Sequence, residues 1–474
     1  MALWHKHDTS GLNCEESHHS IELGVVSPRR VWVKLDLLLL PVISMFHFLS
    51  FLDRTNIGNA RIAGLQRDLQ MTNNQYSIAL TVTYVTNIAT ELPSNLLLRV
   101  VGSNYLLPTI MTSLGVITTL QGVVTSYDGL LACRFFLGVF EGGVFPGLVL
   151  YLTYFYPRSK MTVRIAAFFA SASLSGAFSG ILAYGIVRLD GVGGRAGWRW
   201  IFILEGSFTI AWGLIIYFLM PRNAMTARFL RPAEREYVTS QVADSGGERF
   251  EWREVRKALV APHVWIIGIV FFFAGAALFG LAFFTPSIVE SLGYTSARSQ
   301  LMTVPPFATA FALSVVTAFL CDRFPVRGLV CIGTSIIALI GFTLFLTLSS
   351  AHARYGSLSL YISGVYAFTP TLASWNSSNS APHVRRATAI AIPFILSSVG
   401  GILSTWLIGS WSTAPRYVLG TRVMVAFSGG MAVGSALCLW YFVWMNRKKA
   451  SMLEQNHNIS AIIRSVTTIV EKNA

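Results

Sequence analysis

Two charged side chains interrupt a long apolar run in the first half of the chain. Arg134 and Glu141 lie within the segment LLACRFFLGVFEGGVFPGLVLYL, and their spacing of seven residues places both on one helical face, two turns apart. A buried guanidinium can bind an anion, and a buried carboxyl group can take up a proton. The pattern predicts an anion-binding Arg134 and a proton-coupling Glu141. The alternative is a structural pair that is bridged through another helix.

A second set of polar residues occurs in the first apolar run. His47, Ser50 and Arg54 follow the spacing i, i+3 and i+7, so they share one helical face, and Asn56 lies beside it. Ionisable residues inside a membrane-spanning segment are costly and commonly functional. We predict that His47, Arg54 and Asn56 contact a substrate. The alternative for His47 is a neutral ring that is hydrogen-bonded to a neighbouring helix.

Other apolar runs carry amides, an acid and a tryptophan. Glu91 and Asn95 follow helical spacing on either side of Pro93, which interrupts the backbone hydrogen bonds. We predict that these two residues form a gate or a structural hydrogen-bond network, and direct substrate contact is the alternative for Glu91. Trp375 and Asn376 follow a proline in a later run, which indicates a bent helix that faces a cavity, so we predict substrate contacts there.

Four further charged residues have predicted structural roles. Glu205 follows the aromatic segment WRW in the sixth apolar run and is predicted to accept a hydrogen bond between helices. The segment CDRFPVRG contains Asp322, Arg323 and Arg327, which we predict to form a charge latch between two helices.

Enzyme chemistry is not indicated by any pattern in the chain. Five scattered cysteines lack the paired short spacing of a disulfide framework or a zinc site. We find no cluster of metal ligands, no Ser-His-Asp arrangement and no phosphate-binding loop, and the glycine-rich segment DGVGGRAG follows no strand. We therefore predict a protein that is not an enzyme and has no catalytic residues, no metal site and no cofactor.

The elements that must position these residues are twelve apolar runs. A membrane-spanning helix needs about 20 apolar residues, and here 53% of the residues are hydrophobic whereas only 12% are charged. The runs are 35–58, 75–98, 105–126, 129–153, 163–187, 199–220, 264–287, 300–320, 328–349, 357–377, 387–410 and 422–445. Backbone groups in lipid must be paired within their own segment, so the runs predict helices. The predicted fold class is an all-α membrane protein with twelve transmembrane helices in two six-helix pseudo-repeats.

Polar segments divide the chain into five predicted parts. These are a cytoplasmic N-terminal tail (1–34), a first six-helix half (35–220), a cytoplasmic central loop (221–262), a second six-helix half (263–445) and a cytoplasmic C-terminal tail (446–474). Of the 36 lysine and arginine residues, 25 lie in segments that are cytoplasmic when the N-terminus is inside, and 10 lie in the outer segments. The net charge of +14 is thus a topology signal. The expected partner is a lipid bilayer, with no nucleic acid.

Several motifs, taken in order along the chain, resemble those of a known family. They are KLDLLLLP (34–41), FLDRTNIGNARIAGL (51–65), ELPSN (91–95), RFFLGVFEGGVFPG (134–147), GWRWIFILEG (197–206) and PRY (415–417). In these motifs the chain is similar to the major facilitator superfamily, and within it to the anion:cation symporter family and its fungal allantoate permease-like branch. The resemblance implies two six-helix halves that enclose a central cavity and rock to give alternating access.

The resemblance also implies roles for single residues. Arg54 and Asn56 match first-helix residues that face anions in animal relatives, and Arg134 and Glu141 match residues with anion-binding and proton-coupling roles. The chain departs from the family at His47, where tyrosine is common in the fungal branch, and in the segment RVVGSNYL, which lacks the usual aspartate and arginine cluster. The departures weaken a transfer of substrate identity more than a transfer of fold.

The expected function is a secondary active transporter that moves a small organic anion, a carboxylate, by proton symport. The proton gradient is the expected driving force, and the anionic substrate is the expected small-molecule partner. The expected form is a monomer in the plasma membrane with both termini in the cytoplasm. An efflux transporter for a fungal secondary metabolite is the alternative. A non-transporting nutrient sensor is disfavoured, because such sensors carry long soluble extensions and both tails here are short.

Overall fold

The computed structural model is a bundle of long helices. It describes the backbone of residues 27–243, 252–324, 326–379 and 383–473, and within these ranges there is no β-strand. Each of the twelve predicted apolar runs coincides with a helix or, for the runs 129–153 and 300–320, with two consecutive helices. The prediction of an all-α fold is therefore confirmed.

The helices follow one another with short connections. The first half contains α1 (Pro28–Ala60), α2 (Asn73–Val101), α3 (Ser103–Gln121), α4 (Tyr127–Glu141), α5 (Val144–Thr153), α6 (Arg158–Ile186) and α7 (Gly197–Leu219). The central segment contains α8 (Pro232–Ala243) and α9 (Trp252–Val260). The second half contains α10 (Pro262–Glu290), α11 (Ser296–Met302), α12 (Val304–Arg323), α13 (Arg327–Thr347), α14 (Ala351–Asn379), α15 (His383–Gly409) and α16 (Val418–Asn473).

The distribution of polar and apolar side chains is the reverse of that in a soluble protein. Phe218 is 91% exposed and Phe319 is 70% exposed on the outside of the bundle, whereas Asn56 and Arg134 are buried inside it. Large exposed apolar surfaces of this kind belong against lipid. Side chains that are apolar outside and polar inside make the bundle suited to a bilayer.

Eight of the described helical segments are long and apolar enough to cross a membrane by length and composition alone. The other predicted spans correspond to α2, α3, the pair α4 and α5, and α14. Three of these helices carry many Ser, Thr and Asn residues, and the fourth span is broken into two pieces. Polar residues are tolerated in such helices because they face other helices rather than lipid.

Packing joins the helices within each half and across the two halves. In the first half α1 packs on α6, α2 on α4, and α3 on α7; in the second half α10 packs on α15, α13 on α14, and α13 on α16. Across the halves α2 packs on α15, α6 on α12, and α1 on α10. The interface between the halves is therefore formed by α1, α2 and α6 of the first half and by α10, α12 and α15 of the second half.

The fourth predicted span is interrupted immediately after Glu141. Helix α4 ends at that residue, Gly142 and Gly143 form a turn, and α5 begins at Val144. A Cβ atom on Gly142 would lie 2.6 Å from the carbonyl oxygen of Asn87 in α2, so only glycine permits this close approach. The break places Glu141 at a helix end that is pressed against α2.

A bidentate ion pair fixes the start of α1 against α6. The guanidinium of Arg164 donates from Nε to Asp36 Oδ1 over 3.0 Å and from Nη2 to Asp36 Oδ2 over 2.7 Å. The hydroxyl of Tyr156 donates to the same carboxylate over 2.8 Å. Two-pronged pairs of this kind fix orientation as well as distance. We call this end of the bundle, where α7 ends and α10 begins, the loop end.

Helix α8 docks on the loop end through a second ion pair. Lys34 Nζ lies 2.8 Å from Glu234 Oε2, and the ring of Trp32 lies 6.1 Å from that of Tyr237. Burial alone would raise the pKa of Glu234, but hydrogen bonds from Lys34 and from the backbone N–H of Arg231 outweigh it and hold that pKa below its ordinary value. The central segment is therefore attached to the first half at α8, whereas α9 packs on α15 of the second half.

Candidate substrate-binding site

The centre of the candidate site is an ion pair between α1 and α4. Arg54 Nε donates a very short hydrogen bond to Glu141 Oε1. The side chain of Arg54 is 17% exposed to solvent, whereas that of Glu141 is 4% exposed. Arg54 thus presents the accessible positive charge of this pair, and Glu141 lies behind it at the break after α4.

Aromatic rings from both halves surround the Arg54 guanidinium. Its central carbon lies 6.0 Å from the ring centroid of Phe51, 5.9 Å from that of Tyr84 and 5.0 Å from that of Phe279. Phe51 is on α1 and Tyr84 on α2, whereas Phe279 is on α10 of the second half. A cation is stabilised by ring faces at these distances. The charge therefore lies at the interface of the two halves.

A second guanidinium lies deeper in the first half. Arg134 is 1% exposed, and the charged groups that face it are Asp53 and Glu141. The hydroxyl of Thr83 donates to the backbone oxygen of Arg134 over 3.1 Å. Among the described residues, Nε and Nη2 of Arg134 have no hydrogen-bond partner. Glu141 is thus hydrogen-bonded to Arg54 rather than to Arg134, and Arg134 is enclosed within the first half.

Asn56 and Glu205 connect α1 to α7. The Asn56 amide nitrogen donates a very short hydrogen bond to a Glu205 carboxylate oxygen, and both side chains are buried. Asn56 therefore lies on the face of α1 that packs within the first half, two residues after Arg54 and about half a turn around the helix from it. Its role in substrate contact stays a prediction.

His47 lies between α1 and α6. Its Nδ1 is 3.1 Å from the hydroxyl oxygen of Ser171, and its ring centroid is 5.2 Å from that of Phe168 and 5.3 Å from that of Phe169. A hydrogen bond to a neighbouring helix is the alternative to substrate contact that the sequence leaves open for His47. Seven residues separate His47 from Arg54, which is about 10.5 Å along the helix axis.

Trp375 and Asn376 are buried in the second half near the loop end. The Trp375 ring lies 5.5 Å from that of Phe442 in an edge-to-face arrangement and belongs to a core of α10, α13, α14 and α16 side chains. On the same helix, Tyr366 is the residue that contacts Phe51, with ring centroids 6.3 Å apart. Nine residues separate Tyr366 from Trp375, about 13.5 Å along the axis. The structure thus brings Tyr366, rather than Trp375, to the neighbours of Arg54.

The predicted gate and latch residues lie toward the loop end. Glu91 is half-buried on α2, and the side chain of Asn95 lies outside the part of the structure that is described. Asp322 and Arg323 are exposed at the end of α12, and Arg327 is half-buried at the first residue of α13. The gate and latch roles stay predictions.

The halves are joined closely at the end opposite the loop end. Ser296 Oγ donates to the Ile62 carbonyl over 2.6 Å, and Ser77 Oγ donates to the Thr405 carbonyl over 3.1 Å. The Trp406 indole donates to the Thr81 hydroxyl over 3.1 Å. Each of these bonds crosses from one half to the other, so the site around Arg54 is closed at this end.

Sequence reasoning missed the aromatic surroundings of Arg54. Tyr84 belongs to a polar helical face that the spacing of Tyr84, Asn87 and Glu91 reveals, but nothing in that spacing assigns it to a cation. Phe279 stands in a run that is apolar throughout and gives no signal. Which phenylalanine reaches Arg54 depends on how α10 of the second half packs on α1.

These features define a class of protein: multi-pass helical membrane proteins with two bundled halves and a charged site between them. The chain belongs to the Major Facilitator Superfamily, whose family model matches residues 43–405. The fold is similar to the crystal structure of a bacterial homologue of the human lysosomal transporter Spinster in an inward-facing and occupied conformation. The TM-score is 0.65 at 15% identity, over 88% of this chain and 97% of that one.

Relatives with similar sequences are transporters of fungi. The chain is 36% identical to an uncharacterized transporter of Schizosaccharomyces pombe, over 90% of this chain and 86% of the relative. It is 32% identical to an MFS-type transporter of Hormonema carpetanum, over 88% and 85% of the two chains. It is 28% identical to the high-affinity nicotinic acid transporter of Saccharomyces cerevisiae, over 95% and 85%.

Proposed function

We propose that the protein is a secondary active transporter that moves a small organic anion, a carboxylate, together with a proton. The observation that carries the proposal is the buried pair of Arg54 and Glu141 at the interface of the halves. A guanidinium there can exchange an internal carboxylate for that of a substrate. The motif resemblance to the anion:cation symporter family supports the same substrate class.

The exchange of partners at Arg54 couples the anion to a proton. When a substrate carboxylate displaces Glu141 from Arg54, Glu141 and Asp53 share the single guanidinium of Arg134. A proton on Glu141 then removes a buried negative charge that this guanidinium does not fully compensate. The charged groups nearby are three buried carboxyl groups, Asp53, Glu141 and Glu205, against the partly exposed guanidinium of Arg54 and the buried one of Arg134. Since this cluster holds no spare positive charge when all groups are ionised, an entering anion favours the uptake of a proton.

Alternating access follows from how the halves are joined. The helix pairs α2 with α15 and α6 with α12 connect the halves, and the hydrogen bonds opposite the loop end close one entrance. Breaking these few bonds while another set forms at the loop end exposes Arg54 to each side in turn. The proton gradient drives the cycle, and we propose no cofactor.

The relatives and the charge distribution support finer points of the proposal. One relative is by name a transporter of nicotinic acid, which is a small carboxylate. The excess of lysine and arginine in alternate segments supports termini that both face the cytoplasm. We further propose a monomer in the plasma membrane.

Expression in yeast that lacks its own organic-acid permeases tests the proposal. Labelled nicotinate, benzoate and lactate are offered at two external pH values, and we expect accumulation of at least one of them, with more at the lower pH. Export of a preloaded acid without accumulation would instead indicate an efflux transporter.

Variants of Arg54 locate the anion site in the same assay. Arg54→Ala should raise the KM for the carboxylate at least about 30-fold, because loss of one partner of a buried charge pair costs about 2–5 kcal/mol. Arg54→Lys keeps the charge but loses the two-pronged geometry, so its KM should be intermediate. Arg195→Ala removes an exposed arginine and is the matched control. An unchanged KM in Arg54→Ala would contradict the proposed site.

A further inference from the structure

We propose that this site selects flat aromatic carboxylates whose ring carries a hydrogen-bonding atom, through Phe51, Tyr84, Phe279 and Tyr366. The inference rests on the proposed function, since it concerns the body of the anion whose carboxylate Arg54 binds. It goes beyond that function because carboxylate binding alone places no demand on the rest of the substrate.

The first observation is the surface that faces the Arg54 guanidinium. Three rings lie 5.0 to 6.0 Å from its central carbon, one on each of α1, α2 and α10. A substrate held by its carboxylate at Arg54 must lay its body against these ring faces and edges. An aromatic body gains stacking or edge-to-face contact there, whereas a body rich in amides loses hydrogen bonds to water without replacement.

The rings come from both halves and contact one another across the interface. The centroid of Tyr84 lies 5.2 Å from that of Phe279 and 5.9 Å from that of Phe283, and Phe51 contacts Tyr366 at 6.3 Å. Each of these three contacts joins a ring of the first half to a ring of the second half. When the halves move apart, these ring contacts are lost. A flat aromatic substrate inserted between the halves can contact the same rings and so replace the lost aromatic packing.

The second observation is independent of the rings. The hydroxyl groups of Tyr84 and Tyr366 are buried and, among the described residues, have no hydrogen-bond partner. A buried hydroxyl without a partner costs free energy, and a ligand atom that pairs with it recovers that cost. A ring nitrogen or a ring hydroxyl of the substrate supplies such an atom. One hydroxyl comes from each half, so a ring bound between the halves can form a hydrogen bond with either of them.

The test compares carboxylates of matched size in proteoliposomes that contain the full chain. Uptake of benzoate is compared with that of cyclohexanecarboxylate, which has a similar volume but no aromatic ring, and with that of lactate. The three hydroxybenzoate isomers test the hydrogen bond. We expect a lower KM for benzoate than for cyclohexanecarboxylate, and a lower KM again for at least one hydroxybenzoate.

Variants assign the preference to these side chains. Phe279→Leu should raise the KM for benzoate about fivefold, as expected for the loss of one aromatic contact, and should leave that for lactate unchanged. Tyr84→Phe and Tyr366→Phe keep the rings, so they should remove the advantage of the hydroxybenzoate over benzoate. Phe218→Leu replaces a ring that is 91% exposed on the outside of the bundle and is the matched control.

The outcomes separate the two proposals. Arg54-dependent uptake of cyclohexanecarboxylate or lactate with no preference for an aromatic ring would overturn the selection and leave the proposed function standing. An unchanged KM for benzoate in Phe279→Leu, or a hydroxybenzoate advantage that survives both Tyr84→Phe and Tyr366→Phe, would also overturn it. If no carboxylate is taken up in an Arg54-dependent manner, both proposals are overturned.

Discussion

Arg54 combines a positive charge, partial exposure and aromatic neighbours from both halves of the bundle. Arg134 has the same charge but is 1% exposed and enclosed in the first half. Partial exposure suits Arg54 to exchange one carboxylate partner for another during a transport cycle. Complete burial suits Arg134 to compensate the charge of fixed buried carboxylates. The two arginines are therefore expected to respond differently to substitution.

We predict that Arg134→Ala lowers the thermal stability of the detergent-purified protein. Removing one partner of a buried charge cluster leaves carboxylates without compensation and costs about 3–5 kcal/mol. The melting temperature is measured by a thermal shift assay, with Arg195→Ala as the control for loss of an arginine in an exposed position. A melting temperature equal to wild type, together with loss of uptake, would assign Arg134 to the anion site instead.

The sequence identifies Arg54 and Glu141 because charged residues are conspicuous in apolar runs. It does not identify their pairing, since helical spacing within one segment favours Arg134 as the neighbour of Glu141. The turn after Glu141 and the packing of α1 on the first half decide which guanidinium the carboxylate reaches. Phe279 gives no signal at all, because its contact with Arg54 exists only once the second half packs on the first.

Helix ends and helix breaks are the elements that place the charges. The turn at Gly142 and Gly143 separates α4 from α5 and puts Glu141 at a helix end against α2. The sequence predicts one continuous span there, because the apolar run itself is continuous across both glycines. Only the close approach of the Asn87 carbonyl shows why glycine is required at 142.

We predict that Gly142→Ala destabilises the protein by about 1–3 kcal/mol, the usual cost of overpacking. The added methyl group would lie 2.6 Å from the Asn87 carbonyl oxygen, so α2 and α4 must separate and Glu141 must shift. Gly185→Ala is the matched control, because its Cβ would meet nothing within 4 Å. Thermal stability and uptake are compared, and equal behaviour of the two variants would contradict the role assigned to the turn.

The docking of α8 on α1 depends on the charge of Glu234. Because the pKa of Glu234 is lowered when α8 is docked, the contribution of the pair is present above the ordinary carboxyl pKa and is lost as the pH falls through the lowered value. Lys34→Ala should therefore speed hydrogen exchange in residues 232–243 at neutral pH by no more than about fivefold, since ion pairs near the protein surface contribute less than about 1 kcal/mol.

Hydrogen exchange with mass spectrometry measures this docking directly. Arg256→Ala removes an exposed arginine on α9 and should leave the exchange of α8 unchanged at every pH. The difference between Lys34→Ala and the wild type should shrink as the pH is lowered. A difference that grows at low pH would contradict the assigned ion pair.

At the scale of the whole molecule, the fold is the part that the sequence predicts best. Twelve apolar runs predict helices because backbone groups in lipid must be paired within their own segment, and the polar interruption divides the runs into two sets of six. The interface between the halves is harder to predict, since it depends on which helices cross it. The bonds of Ser296 to Ile62 and of Ser77 to Thr405 join residues more than 200 positions apart and have no counterpart in any local pattern.

In the proposed transport cycle, the role of the ion pair depends on the two-half architecture. Arg54 faces rings of both halves, so any movement of one half relative to the other changes its surroundings. The hydrogen bonds opposite the loop end hold one entrance closed while the carboxylate of Glu141 occupies Arg54. In the proposed transport cycle, exchange of that carboxylate for a substrate is the step that links binding, protonation and movement of the halves.

Glu141→Gln in proteoliposomes tests this link most directly. Accumulation of labelled benzoate or lactate under an imposed inward proton gradient is compared with exchange of the same acid at equal pH on both sides, after subtraction of uptake by protein-free vesicles. Glutamine keeps the size of the side chain but cannot take up a proton. We predict that the variant retains exchange, because Arg54 is intact, and loses gradient-driven accumulation. Accumulation equal to that of the wild type would contradict the coupling of the carboxylate to a proton through Glu141.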